Sequence, residues 1–137
     1  MGILPHKKKL PSDIKLAVVS VSTTRSLSED VSGAWIKKQA RKEGVEVVIH
    51  QVVTDEVDAI RELVDHITEK ISPHALIMTG GTGISPRDVT IEAVKPGFTK
   101  ELTAFSTLFA MLSFEQIDSA AILSRATAGI INETLVF

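Results

Sequence analysis

The sequence predicts an α/β fold, a three-layer sandwich with a mostly parallel central sheet and helices on both faces. Short apolar segments rich in β-branched residues alternate along the chain with longer amphipathic segments. The short segments are continuously hydrophobic, which is typical of strands buried on both faces. Strands of this kind separated by helices indicate a parallel sheet.

The composition limits the classes of function. The 137 residues, 44% of them hydrophobic, fit one domain. A net charge of -2 gives no reason to expect a nucleic-acid or membrane partner. The absence of cysteine excludes disulfides and thiolate zinc sites, and fits a reducing compartment. No apolar run approaches the ~20 residues of a membrane span, so we expect a cytoplasmic protein.

An N-terminal arm and the first strand open the chain. Residues 1–13 contain two prolines and a lysine run, so we expect a flexible arm ahead of a single domain at residues 14–137. Ile14–Val21 (IKLAVVSV) predicts the first buried strand. A helix is expected over Gly33–Glu43.

A second strand and the most regular helix follow. Val45–Val53 predicts the strand, and Val57–Ile71 repeats apolar residues on one helical face until Pro73 stops it. Asp55, with Asp58 three positions later, resembles a capping box, which predicts that Asp55 is the N-cap of this helix.

The second half of the chain predicts one more buried strand and then mainly helices. Ala75–Met78 runs directly into a glycine-rich loop, and helices are expected over Ile91–Val94 and residues 102–117. Ala120–Ser124 and Thr134–Phe137 predict late strands. Ligands of parallel sheets bind at the carboxyl ends of strands, so we expect the site in the loops that follow the first three strands.

The loop of residues 79–90 (TGGTGISPRDVT), hereafter the glycine loop, is the most informative segment. Its glycines let a ligand approach the backbone, whose N–H groups can bind phosphate. It lacks the ending of a P-loop and the last glycine of the dinucleotide fingerprint. A tight turn without a ligand is the alternative. The loop residues expected to bind substrate or nucleotide are Gly80, Gly81, Thr82, Gly83, Ser85, Arg87 and Thr90, the last also as an N-cap.

Arg87 and Asp88 favour a ligand over a plain turn. A guanidinium suits phosphate oxygens, and a carboxylate suits magnesium, which binds through one or two carboxylates plus substrate phosphates. Together they indicate a magnesium–nucleotide site. A solvent-exposed Arg–Asp pair is the alternative interpretation.

The sequence resembles the MoaB/Mog family of molybdenum cofactor biosynthesis proteins. TGGTGISPRDVTIEAVKPGF is similar to the family signature TGGTG-x-x-x-RDVTPEA. The resemblance continues through LFAMLSFEQI and AAILSRATAGIINETLVF, and it reaches back to EDVSG and LAVVSVSTTR. It covers nearly the whole chain after the arm, and it implies the molybdopterin-binding fold of this family.

The resemblance implies that the chain adenylylates molybdopterin, with ATP as the second substrate and Mg²⁺ as the cofactor. The terminal phosphate of molybdopterin attacks the α-phosphate of ATP, and pyrophosphate leaves. Two acidic positions of the family hold the magnesium and support the chemistry. They match Asp55 and Asp88, the residues that we expect to be catalytic and metal-binding.

Further site residues rest on the same resemblance. Ser124 and Arg125 match a Ser-Arg pair near the substrate, and Ser22 lies where the first strand should end. Asp30 and Ser32 would bring a helix N-terminus beside the substrate phosphate, although capping alone explains them equally well.

The resemblance also bears on assembly and length. Residues 98–114 are unusually apolar, which fits either a core or a subunit contact in the trimers or hexamers of the family. A molybdotransferase partner is implied as well. Relatives continue beyond the position of Phe137 into a further loop and helix, so we expect that this chain lacks the C-terminal end of the domain.

The sequence departs from the family pattern at two positions, and two alternatives to the adenylylation function remain open. Thr23 replaces a frequent aspartate, and Ile91 replaces the usual proline. One alternative is a non-catalytic member that binds molybdopterin or serves in assembly. The other is a different enzyme on the same domain, such as a CinA-like nucleotide pyrophosphatase or a fragment of a molybdotransferase.

Overall fold

A computed structural model of the protein describes residues 13–137. It contains a six-stranded sheet and four α-helices. The strands are β1 Lys15–Val21, β2 Glu46–Val53, β3 Ala75–Thr79, β4 Lys100–Glu101, β5 Gly129–Ile131 and β6 Thr134–Val136. The helices are α1 Val31–Lys42, α2 Val57–His66, α3 Thr90–Val94 and α4 Thr103–Ile117. Except for its last residue, the arm predicted at 1–13 lies outside the described residues.

The strands lie in the order β2-β1-β3-β6-β5-β4. β1 is parallel to both neighbours, and β3 is parallel to β6. Only β5 runs against its neighbours, because a two-residue turn at Asn132 and Glu133 joins it to β6 as a hairpin. Both turn residues have positive φ, 45° and 69°, as a type I′ hairpin turn requires. The predicted mostly parallel α/β sheet is confirmed.

β1 is buried on both faces, as its apolar sequence predicts. Ala17, Val19 and Val21 share one face and belong to the core cluster that also contains Ile60 and Val64 of α2. Side chains alternate along a strand, so Ser20 points to the opposite face, which α1 covers. Helices therefore lie on both faces of the sheet.

The late part of the chain differs from the prediction. Residues Asp118–Leu123 form a 3-10 turn, so the strand predicted over Ala120–Ser124 is wrong. Asp118 has φ 56°, which turns the chain sharply after α4, and most of the turn is exposed. β4 and β5 have two and three residues, too few for a periodic pattern, and the sequence did not indicate them.

α4 is apolar around its whole circumference and contains no buried residue. Leu108, Met111, Leu112 and Phe114 are each more than half exposed. The interpretation of this segment as core is therefore wrong for these four residues. No helix in the described part of the chain combines the length and the apolar character needed to cross a bilayer.

Candidate active site

The glycine loop leaves β3 beside the end of β1. Gly80 and Gly81 have φ values of 93° and 66°, which side chains rarely tolerate. A Cβ on Gly80 would collide with the carbonyl oxygen of Val21, and one on Gly81 would collide with the Thr90 hydroxyl. The two positions therefore require glycine, because atoms of the chain itself occupy the space that a Cβ would need.

Thr90 closes the glycine loop, but not as the predicted N-cap. The N-cap of α3 is Val89, which provides no capping side chain. Thr90 is the first helical residue, and its hydroxyl donates to the Gly80 carbonyl over 2.8 Å. Its amide donates to the carbonyl of Gly81 over 3.1 Å. Thr90 therefore ties the end of the loop to its beginning.

Asp88 lies inside the glycine loop and faces its backbone. Its Oδ2 accepts a hydrogen bond from the Ser85 amide over 3.0 Å, while its own amide donates to the Ser85 carbonyl over 2.9 Å. A Cβ on Gly83 would lie 2.7 Å from Oδ2. One carboxylate oxygen is thus held by the loop, while Oδ1 makes no hydrogen bond to a residue within 13–137.

Asp55 lies at the end of β2, next to the glycine loop. The N-cap of α2 is Glu56, which makes no capping hydrogen bond, so the predicted capping role of Asp55 is wrong. Instead, Asp55 Oδ2 lies 3.7 Å from the Nε of Arg87, whose side chain is 75% exposed. The structure thus brings Asp55, Arg87 and the loop of Asp88 to one edge of the sheet, hereafter the carboxyl edge.

Arg125 reaches the glycine loop from the segment before β5. Its Nε donates to the carbonyls of Thr82 and Gly83, over 3.3 and 3.1 Å. Its Nη2 donates to the Asp88 carbonyl over 3.2 Å, and its Nη1 pairs with Glu92 Oε1 at 2.6 Å. The hydrogen bond from Arg125 holds the pKa of Glu92 below its ordinary value. Sequence reasoning missed Glu92.

The loops after β1 and β2 form a neighbouring cleft lined by Ser22, Thr23, Arg25 and Thr54, among others. Ser22 Oγ accepts hydrogen bonds from the amides of Thr24 and Arg25, over 3.3 and 3.2 Å, and so shapes its own loop. A separate cavity of about 240 Å³ has Gly80, Thr82 and Thr90 of the glycine loop in its lining. It is largely apolar and includes Met78, Phe105 and Phe137.

Asp30 is the N-cap of α1, a role for which Asp30 and Ser32 were the two candidates. Its Oδ1 accepts from the Gly33 amide over 3.0 Å, and its Oδ2 lies 2.7 Å from His50 Nε2. Ser32, the other candidate, is exposed. Burial raises the pKa of Asp30, but contacts with the Ser20 hydroxyl, His50 and the Gly33 amide outweigh it and keep the pKa below its ordinary value. The Ser20 contact lies outside regular hydrogen-bond geometry.

We expect Asp30→Asn to lower the free energy of unfolding by about 1–3 kcal/mol at pH 7, because the contacts with Gly33 and His50 lose the negative charge that strengthens them. A carboxylate whose pKa is depressed by folding stabilises the protein above its unfolded pKa, and this contribution disappears as the pH falls. The difference between the two proteins should therefore shrink as the pH falls below about 4, the ordinary pKa of an aspartate. Urea unfolding at pH 3 to 7 measures it, and a constant difference would contradict the assignment.

The donor set of the carboxyl edge fits magnesium better than zinc. Within residues 13–137 no group of three or more histidine, aspartate or glutamate side chains is placed to hold a metal. Two carboxylates, Asp55 and Asp88, lie there beside a loop suited to phosphate. Mg²⁺ is typically bound in this way, with water and substrate phosphates as its remaining ligands.

Comparisons with known proteins identify the family to which the chain belongs. The sequence model of a probable molybdopterin binding domain matches residues 17–137. Molybdenum cofactor biosynthesis protein B of Bacillus subtilis (strain 168) is 42% identical over 138 residues, an alignment that covers 100% of this chain and 81% of that protein.

Solved structures show the same relationship. A crystal structure of a molybdenum cofactor biosynthesis protein B superposes with a TM-score of 0.88 at 36% identity, covering 93% of this chain and 80% of the other. The tungsten cofactor synthesizing protein MoaB from Pyrococcus furiosus gives 0.77 at 37% identity, with 93% and 82% covered. The chain therefore belongs to the MoaB/Mog family of molybdenum cofactor biosynthesis proteins.

Proposed function

We propose that the protein adenylylates molybdopterin. A terminal phosphate oxygen of molybdopterin forms a bond to the α-phosphorus of ATP, and the bond from that phosphorus to the bridging oxygen of pyrophosphate breaks. The products are adenylylated molybdopterin and pyrophosphate. The observation that carries the proposal is the meeting of the glycine loop, Asp88, Asp55 and Arg87 at one edge of the sheet.

Each residue of the carboxyl edge has a proposed role that follows from its chemistry. Asp55 and Asp88 would hold Mg²⁺, which supplies neutralisation of phosphate charge when bound. The guanidinium of Arg87 is exposed and can turn from Asp55 to a phosphate oxygen. Amides of the glycine loop would bind further phosphate oxygens. Phosphoryl-type transfer needs mainly this positioning and charge stabilisation.

The cavity beside the glycine loop and the cleft between the loops after β1 and β2 supply room for the two substrates. The apolar cavity beside Met78 suits a heteroaromatic ring, which both substrates carry. Ser22 lines the cleft between the loops after β1 and β2, and the hydroxyls of the exposed Ser124 and Ser32 would donate hydrogen bonds to substrate. We place the reaction in the cytoplasm, in keeping with a sequence without cysteine.

The test is pyrophosphate release from ATP and magnesium, measured with and without molybdopterin. Release that depends on molybdopterin supports adenylylation. Release without molybdopterin would contradict it and favour a nucleotide pyrophosphatase. Binding of molybdopterin without any release would also contradict it and leave a binding or assembly role, which the match to a molybdopterin binding domain favours as the second candidate.

We also propose that the protein forms a homo-oligomer, a trimer or hexamer, through α4. Contiguous exposed apolar surface typically marks a protein–protein contact. We expect the double variant Met111→Glu, Leu112→Glu to have the mass of a single chain, because charges would be buried in the contact. Light scattering after size exclusion measures the mass. Val31→Glu, at a residue that is 77% exposed on α1, is the control. An unchanged mass in the double variant would contradict the proposal.

A further inference from the structure

The side chain of Arg125 donates hydrogen bonds to three carbonyl groups of the glycine loop, those of Thr82, Gly83 and Asp88. Its backbone amide also donates to the Thr82 carbonyl over 3.0 Å. A residue that binds phosphate directly would be expected to keep its guanidinium for the ligand. Here Nε, Nη1 and Nη2 each donate to a protein acceptor, so three of the five N–H groups of the guanidinium are already engaged.

The contacts with these carbonyls fix where the loop amides point. In a trans peptide, the carbonyl and the N–H of the following residue point in opposite directions. The described part of the chain has no cis peptide bond. The carbonyls of Thr82, Gly83 and Asp88 face Arg125, so the amides of Gly83, Ile84 and Val89 must face away from it.

The same three amides are free. Among residues 13–137, none of the amides of Gly83, Ile84 and Val89 donates to a protein acceptor. Free N–H groups of successive loop residues, as at Gly83 and Ile84, are suited to an anion. The side that they face is the one away from the guanidinium.

We infer that Arg125 is a positioning residue, which turns the amides of Gly83, Ile84 and Val89 toward a phosphate-bearing ligand without binding that ligand itself. The role deepens the adenylylation proposed above and rests on it for the identity of the ligand. It replaces the direct substrate contact that the sequence predicts for Arg125. Glu92 completes the arrangement, because its carboxylate holds Nη1 and so limits rotation of the guanidinium.

Substitution of Glu92 distinguishes a positioning role of Arg125 from direct binding of phosphate by Arg125. Loss of a negative charge near an anion site normally strengthens anion binding or leaves it unchanged. If Arg125 bound phosphate directly, Glu92→Leu would therefore keep or raise the affinity. If Arg125 positions the loop, the same change frees the guanidinium and weakens the binding. The two roles thus predict opposite directions.

The experiment is a titration of the folded protein with inorganic pyrophosphate, followed by amide ¹H–¹⁵N spectra. In the unaltered chain, pyrophosphate should shift the resonances of Gly83, Ile84 and Val89. In Arg125→Ala and Glu92→Leu the affinity should fall, by about tenfold or more for Arg125→Ala, since small misplacements of contacts are costly. Arg125→Lys should not restore it, because one ammonium cannot bridge several carbonyls. Unchanged β1 resonances verify the fold.

Glu101→Leu is the matched control. Glu101 pairs with Lys95 at 3.2 Å, and its side chain is 38% exposed, against 49% for Glu92. The substitution Glu101→Leu should leave the affinity for pyrophosphate unchanged. Equal or tighter binding by Glu92→Leu would overturn the positioning role. Pyrophosphate binding requires no turnover, so a negative adenylylation assay would not decide this test.

Discussion

Asp88→Asn should reduce molybdopterin-dependent pyrophosphate release by about 100- to 1000-fold, the loss typical of removing one preorganised electrostatic contact. The change removes the charge of the carboxylate and keeps its shape. The side-chain oxygen of asparagine can still accept the hydrogen bond that Ser85 donates over 3.0 Å. The glycine loop should therefore keep its conformation, and the loss would report on chemistry. Initial rates at saturating ATP and magnesium measure it.

Asp58→Asn is the matched control for this prediction. Asp58 is an exposed carboxylate in the first turn of α2, close in sequence to Asp55 but not part of the carboxyl edge as defined above. Its replacement should leave the rate unchanged. Full activity of Asp88→Asn would exclude the catalytic role of Asp88 and, with it, the proposed magnesium site.

Gly80→Ala should lower the free energy of unfolding by about 2–5 kcal/mol. Positive φ costs a side-chain-bearing residue about 1–2 kcal/mol, and Gly80 has φ 93°. A Cβ at this position would also collide with the backbone carbonyl of Val21, which β1 holds in place. Overpacking of this kind adds about 1–3 kcal/mol. Urea unfolding at one fixed protein concentration measures the change.

Gly44→Ala isolates the contribution of backbone conformation. Gly44 has φ 77°, and a Cβ there would meet no atom within 4 Å. We expect a loss of only about 1–2 kcal/mol for this variant, from the positive φ alone. Equal losses for Gly80→Ala and Gly44→Ala would show that the contact with Val21 can relax, and that close approach does not explain Gly80.

The sequence predicts the regular parts of the fold well. Strands β1 to β3 and helices α1 and α4 lie within two residues of their predicted bounds, because long apolar or periodic segments carry a strong local signal for secondary structure. α2 follows its predicted helix to His66, after which Ile67–Ile71 form a π-helical turn. β4 and β5 depend on pairing with distant strands, and nothing in a segment of two or three residues records that pairing.

The sequence predicts which residues lie in the candidate site better than it predicts the contacts that they make. The structure brings the expected carboxylates Asp55 and Asp88 to one edge, yet neither Asp55 nor Thr90 is an N-cap. Their side chains have other neighbours that the local sequence does not reveal. Arg125 and its loop partners are separated by 37 to 43 residues, a distance at which spacing carries no signal. The catalytic and binding roles of these residues stay predictions.

The position of β6 sets an order of assembly during synthesis. β6 lies between β3 and β5, although it is the last strand in the sequence. The unit of β1, β2 and β3 with α1 and α2 needs only residues up to 79 and can form as they leave the ribosome. β4 and β5 cannot join the sheet until β6 has docked on β3. Arg125 lies shortly before this hairpin, so its contacts with the glycine loop can form only after the first three strands have been synthesised.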